Sequence, residues 1–263
     1  GILTKALLYL QQFDGLVFSH PSNKYFTSHG QVNESVNSSL TGLKGMPAIG
    51  EVIQVQRDLS ILEYTGGKLH FNCISTGESV RLIAEARKKG LNVTCDVAAH
   101  QIAFDDSMVN TFDTSFKVFP PLRTKEDVAG LLQGLKDGTI DAICSDHTPE
   151  DPENKNLEFD LANFGIIGLQ TVFAVVNTQL KKHLPINQII EKISDNPRKL
   201  LSIAAHSIEV DSHANLTLFD PELKWTFTED LIRSKSKNTP FTGQEFTGKP
   251  VAVFNKGRFK ILS

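Results

Sequence analysis

The 263-residue chain is 40% hydrophobic with a formal net charge of −3, which fits a globular protein with a sizeable core, built as one large domain or one domain plus an appendage. The mild acidity offers no basic stripe for nucleic acid, and no apolar stretch approaches the roughly 20 residues that a bilayer crossing needs. Three widely spaced cysteines, Cys73, Cys95 and Cys144, form no disulfide framework and point to a reducing, cytoplasmic setting.

In chain order, Gly1 opens directly into a helical spacing of Leu3, Ala6, Leu7 and Leu10, so the N-terminus reads as cut or processed, with sequence upstream. GLVFSH (15–20) predicts a strand, followed by a polar loop and a helix from about Pro47 to Tyr64 with apolar residues at helical spacing. On that helix Arg57 and Asp58 are adjacent, and neighbours in a helix do not face one another, so two separate structural partners are expected. KLHFNCIS (68–75) predicts the next strand. GESVRLIAEARKKG (77–90) predicts a helix with Lys88 and Lys89 in its last turn and Gly90 as its stop.

LNVTCDVAAH (91–100) predicts a third strand. A helix over 122–138 carries Thr124 as N-cap, Asp127 three residues on as an acidic capping box, and Gly138 at its end. TIDAICSD (139–146) predicts a fourth strand, and further helices are expected over 168–182 and 186–205. Strands alternating with such helices argue parallel βαβ units and an α/β fold. The tail changes character: 214–220, 250–256 and 257–263 are strand-like, with an irregular polar stretch between the first two, which predicts a small β appendage. Lys235 and Lys237 in SKSKNTPF read as solvated or as anchors of that tail loop.

Three residues fall at C-terminal ends of predicted strands: His20 after LVFS, Cys73 after LHFN, and Asp146 after AICS. In parallel α/β folds this edge is where the βα loops converge and sites form. A histidine, a cysteine and an aspartate can together ligate a divalent metal, with the carboxylate placed to take a proton from water. Each also has a structural role open to it: His20 as a strand terminator, Cys73 as a small buried hydrophobe, and Asp146-His147-Thr148-Pro149 as a turn. His100 ends its strand and is a further candidate, whereas His70 alternates with the inward set and reads as structural.

The segment FKVFPPLRTKEDVAGLLQGLKDGTIDAICSDHTPED resembles dihydroorotases, within the amidohydrolase superfamily. The family pattern there is Asn-Pro-Pro-Leu-Arg, a helix ending in Asp-Gly, then Ser-Asp-His-Ala-Pro-His. SLTGLKGMPAIGEVIQVQRDLSILEYTGGKLHFNCIST is similar to the family's preceding helix and sixth strand, and SHANLTLFDPELKW with SKSKNTPFTGQEFTGK to its C-terminal segment. The likeness runs from near residue 1 to near residue 260. It implies a (β/α)8 TIM barrel of which this chain covers about strands five to eight (residues 1–205), plus part of a composite β appendage (206–263).

The first-strand His-x-His motif and the metal-bridging lysine of the family do not occur in these residues. By resemblance, His20 matches the fifth-strand metal ligand. Cys73 stands where the sixth-strand ligand is normally histidine, and Asp146 matches the eighth-strand aspartate that binds metal, zinc by family, and shuttles the proton between water and the leaving amide nitrogen. His147 falls in the same substrate-facing motif. Phe119 replaces a substrate-contacting asparagine, and Glu150 replaces a histidine that contacts the substrate carboxylate, where a second carboxylate repels an anionic substrate.

Two functions follow. One is zinc-dependent hydrolysis of a cyclic amide, interconverting dihydroorotate and N-carbamoyl-aspartate in pyrimidine synthesis, by a homo-oligomer. The other is a catalytically silent homologue that scaffolds aspartate transcarbamoylase, suggested by Cys73, Phe119 and Glu150. Related cyclic amidases, the hydantoinases or allantoinases, are a third reading.

Overall fold

The computed structural model describes residues 1–204, 208–212 and 214–262. Helix α1 (Ile2–Leu10) leads into β1 (Leu16–Ser19), followed by α2 (Lys24–Thr27), β2 (Val32–Asn33), α3 (Val36–Thr41) and β3 (Gly45–Met46). The long α4 (Ile49–Thr65) precedes β4 (Lys68–Phe71), and α5 (Gly77–Lys88) precedes β5 (Val93–Ala98). Helix α6 (Lys125–Asp137) leads to β6 (Ala142–Cys144), then α7 (Pro152–Lys155), α8 (Val172–Leu180), α9 (Ile186–Ile190) and α10 (Asn196–Leu200). The tail holds β7 (Leu216–Thr226), β8 (Glu245–Asn255) and β9 (Arg258–Ile261).

The four predicted body strands pair as one parallel sheet in the order β1-β4-β5-β6. Val17 lies opposite Leu69, Leu69 opposite Val93, and Val97 opposite Ile143. Parallel neighbours need long crossovers, and here helices supply them: α1 packs on α4, α4 on α5, and α5 on α6. Strands β4, β5 and β6 are largely buried, as parallel strands covered on both faces are, whereas β1 is only partly covered and its Phe18 is half-exposed. Leu69, Phe71, Val93, Cys95, Val97 and Ile143 form one cluster with Val55, Leu62, Ile83, Leu131 and Leu135 from the helices. The α5–α6 contact is a backbone approach: a Cβ on Gly130 would lie 2.7 Å from the Gly77 Cα. Only glycine permits it.

Two strands are shorter than the apolar runs imply. Those expected over 68–75 and 139–146 pair only to Phe71 and Cys144. The chain then turns through the left-handed region at Cys73 (φ 54°) and Asp146 (φ 44°), which no extended ladder can follow. The helix over 122–138 begins at Lys125 with Thr124 as its cap, accepting from the Asp127 N–H at 3.3 Å, and Gly138 ends it at φ 82°. The helix expected over 186–205 is α9 and α10 joined by a π-helical turn at Glu191–Asp195, just before Pro197, which lacks an N–H to donate. Its expected end at residue 205 lies outside the described residues.

Three tail strands form: the first runs on to Thr226 through two register shifts, the second starts earlier than expected, at Glu245, and the third is shorter than expected, Arg258–Ile261. Phe227, Phe241 and Phe246 join the same core cluster as Phe116 and Val175, so the appendage is packed on the body. The expected boundary between residues 205 and 206 lies outside the described residues. Lys237 anchors the tail loop by pairing with Glu229.

The expectation of separate partners for Arg57 and Asp58 is overturned. The long, half-exposed Arg57 side chain folds back so that Nη2 and Nε donate to Asp58 Oδ1 at 2.6 and 2.9 Å. Asp58 is buried and also accepts from Ser19 Oγ at 2.7 Å and from Gln54. A buried carboxylate takes every donor within reach, and arginine is long enough to overcome unfavourable helical spacing.

Candidate active site

Because β1, β4, β5 and β6 run in one direction, their C-terminal ends share an edge of the sheet, and the loops leaving them carry His20, Cys73, His100 and Asp146. His20 is exposed, with Nδ1 3.2 Å from the Asn72 carbonyl and its ring 5.5 Å from that of Phe119. Phe119 in turn meets the Phe164 ring edge-on at 5.7 Å. Asp146 is half-buried, and its Oδ2 lies 3.9 Å from Nε2 of the buried His100. Burial raises the Asp146 carboxyl above its ordinary range, the nearby His20 lowers it, and Asp96 adds to the rise. The His100 ring is pushed down to about 4 by burial alone, and its Nε2 has no hydrogen-bond partner. A neutral imidazole and a carboxyl inclined to hold its proton therefore face each other.

The tightest convergence of ligand-type atoms among the described residues involves two side chains that the strand-end pattern does not single out. Single donor atoms of Cys73, Asp96 and Cys144 all lie within 4.8 Å of one another, and the Cys73 and Cys144 sulfurs are 3.4 Å apart. Asp96 accepts from the Cys73 N–H at 2.8 Å and from the Asn72 amide, and it pairs with His70 Nε2 at 2.9 Å. Burial alone would raise the Asp96 carboxyl, but these partners together hold it below its usual range. The Cys144 contact lowers the Cys73 thiol, yet burial and the charges of Asp96 and Asp146 outweigh it and the thiol ends above its ordinary value. His20, Cys73 and Asp146 share the edge without forming such a compact trio.

A sequence signal for Asp96 did exist: a charged residue inside the apolar run VTCDVAAH must have buried partners. Cys144 gives no such signal. His70 is the structural histidine expected, with both ring nitrogens engaged, Nδ1 at 2.8 Å from Thr94 Oγ1.

The loop after β4 is held from beneath. Glu51 of α4 is buried and accepts the Ser75 and Thr76 N–H groups at 3.0 Å each, and the hydroxyls of Ser75, Thr76 and Ser79. Arg123, also buried, donates to Ser75 Oγ at 2.9 Å, to Asn33 Oδ1 at 2.8 Å and to the Met46 carbonyl. This network ties β2, β3 and α4 to the segment bearing Cys73.

The loop after β6 is held from the tail. Asn238 accepts the Glu150 N–H at 3.3 Å and donates to the Thr148 carbonyl at 3.0 Å. Exposed His147 uses Nδ1 to accept the Gly168 N–H at 3.2 Å and borders a cavity with Ile167, Gln170 and Phe227. The Glu150 carboxylate accepts from the side-chain amides of Asn154 and Asn163, so it is engaged within its own loop.

A family model described as the amidohydrolase family matches residues 28–260. A dihydroorotase of Carboxydothermus hydrogenoformans is 40% identical over 260 residues, covering 98% of this chain and 60% of the relative. One of a Thermoanaerobacter species is 38% identical over 262 residues, covering 99% and 61%. The chain therefore spans about three-fifths of the length of these relatives. Among solved structures, an L-hydantoinase (dihydropyrimidinase) from Arthrobacter aurescens superposes with a TM-score of 0.86 at 23% identity, over 99% of this chain and 61% of that one. A dihydropyrimidinase from Brevibacillus agri gives 0.83 at 24% identity, over 98% and 59%. These likenesses establish an α/β fold of TIM-barrel type.

Proposed function

We infer, from the premise that this chain belongs to the amidohydrolase family, that its strand-end site serves hydrolysis of a cyclic amide, interconverting dihydroorotate and N-carbamoyl-aspartate in pyrimidine synthesis. The carrying observation is that Asp146, at the end of β6, faces His100 and senses the charge of His20. The named relatives are dihydroorotases, which favours this substrate over other cyclic amides.

On this reading the chain is strands five to eight of the barrel, residues 1–205, with the β appendage at 206–263, and the remaining metal ligands come from a segment preceding Gly1. His20, Cys73 and Asp146 offer imidazole, thiolate and carboxylate, a donor set that suits zinc. When bound there, such an ion polarises the amide carbonyl and acidifies water. Asp146 carries the proton: burial favours its protonated form, so it takes a proton from water and returns it to the departing nitrogen. His100, kept neutral, holds no charge that would trap Asp146 as the anion. His147, Phe119 and Glu150 border the substrate. Phe119 puts an apolar wall against His20, and Glu150 is restrained from the substrate's carboxylate by Asn154 and Asn163.

The setting is cytoplasmic, in a homo-oligomer, and aspartate transcarbamoylase is the partner that the scaffold reading adds. Among the described residues no helix is long and apolar enough to cross a membrane. A silent scaffold with the same partner is the second reading; Phe119 and Glu150 suggest it, but the names of the relatives lend it no support. Turnover of dihydroorotate by the full-length protein with zinc, falling by roughly 10²–10⁴-fold in Asp146→Asn, is the expected result. Absence of turnover at every zinc concentration overturns the enzymatic reading.

A further inference from the structure

We propose that Cys73, Asp96 and Cys144 form a thiolate-rich cation site of their own, selective for a soft or borderline divalent ion such as zinc or cadmium. It shares the Cys73 thiolate with the proposed hydrolase site and competes with it for that donor, but it needs neither His20 nor Asp146 and applies equally to a catalytically silent chain.

Geometry carries the inference. Strands β5 and β6 contribute Asp96 and Cys144, the loop leaving β4 contributes Cys73, and the three donor atoms already lie within 4.8 Å of one another. The sulfur–sulfur separation of 3.4 Å lies about 0.4 Å inside the edge, about 3.8 Å, of a tetrahedron built on metal–sulfur bonds of about 2.3 Å, so a small spreading of the pair admits an ion. Cys73 is held in an uncommon left-handed backbone conformation, φ 54°, and this is the kind of local strain that persists where surrounding structure imposes it. Here the Asp96 carboxylate imposes it by accepting the Cys73 N–H at 2.8 Å.

Asp96 is itself oriented from behind. His70 bridges it to Thr94, at 2.9 and 2.8 Å, and Asn72 adds a second donor. An oriented carboxylate supported by a histidine is the arrangement that outer partners impose on metal ligands. A cavity lined by Phe18, His70, Asp96, Ile143, Cys144 and Leu200 opens beside the cluster and gives an ion access. Two thiols and a carboxylate select against magnesium and calcium, which take oxygen alone. Binding forms two metal–sulfur bonds and one metal–oxygen bond and releases both thiol protons to water.

The test is a cadmium titration of the full 263-residue chain under a phosphine reductant, following the sulfur-to-metal charge-transfer band in the ultraviolet. One ion per chain is expected, with the intensity of two thiolates. Cys144→Ser halves that intensity, His70→Gln weakens cadmium binding by roughly 10–100-fold, and His20→Ala, which removes no sulfur, keeps the two-thiolate band. X-ray absorption on the zinc-loaded native chain counts two sulfur neighbours, a readout independent of any variant's folding. A native chain with no charge-transfer band in excess cadmium, a Cys144→Ser band as intense as the native one, a His20→Ala chain that loses the band, or fewer than two sulfur neighbours overturns the proposal.

Discussion

His100 makes the chain sensitive to mild acid, with a sign and size that follow from its burial. The ring is buried, its Nε2 has no hydrogen-bond partner, and its pKa falls from 6.5 to about 4 through desolvation. The unfolded chain therefore binds a proton here before the folded chain does. The stabilising contribution is fully present above about pH 6.5 and drains away as pH falls towards about 4. At about 1.4 kcal/mol per pH unit the whole window amounts to about 3 kcal/mol, of which about 2 kcal/mol is lost by about pH 5.

Urea unfolding of the native chain and of His100→Gln, each at about pH 7 and about pH 5, isolates this contribution. Glutamine cannot titrate, so the native chain is expected to lose about 2 kcal/mol more than the variant between the two conditions. Asp146 works in the opposite direction, since its raised carboxyl favours the folded state as pH falls, but it is common to both proteins. Equal losses in the two chains refute the reasoning. A relative gain in the native chain on acidification would mean that His100 charges against Asp146, 3.9 Å away, and that burial does not govern the ring.

Three further outcomes are expected. Glu51→Ala strips the acceptor from Ser75, Thr76 and Ser79 and leaves Arg123 buried without its carboxylate; a loss of about 3–5 kcal/mol is expected by denaturant unfolding, and a loss under about 1 kcal/mol would show that the network is dispensable. Gly130→Ala drives a methyl group to 2.7 Å from the Gly77 Cα, which separates α5 from α6 at a cost of about 1–3 kcal/mol, read as a lowered thermal midpoint; an unchanged midpoint would contradict the close backbone approach. Asn238→Ala removes both tail-to-loop bonds to Thr148 and Glu150, so hydrogen exchange across 147–150 should quicken while the β4–β5 amides stay protected; uniform exchange in the two proteins would show that the tail does not hold this loop.

Local features of the sequence determined much of the body. Thr124 and Gly138 mark the ends of α6 because capping depends on residues within one turn of each other. Apolar runs alternating with amphipathic helices specify parallel βαβ pairing, and the strand-end positions of His20, Cys73, His100 and Asp146 follow once all four strands point one way.

Other features were decided only by the tertiary structure. The left-handed turns at Cys73 and Asp146 cut short two strands whose composition reads as extended to the end, because the conformation is imposed by partners such as Asp96. Arg57 reaches Asp58 because a buried carboxylate must be satisfied. Cys73 meets Cys144, and Glu51 meets Ser75 and Arg123, across long stretches of chain. Such pairs depend on which strand lies beside which and on how far each runs before it turns. Periodicity reports the face on which a side chain sits, whereas strand order and strand length choose the neighbour it meets.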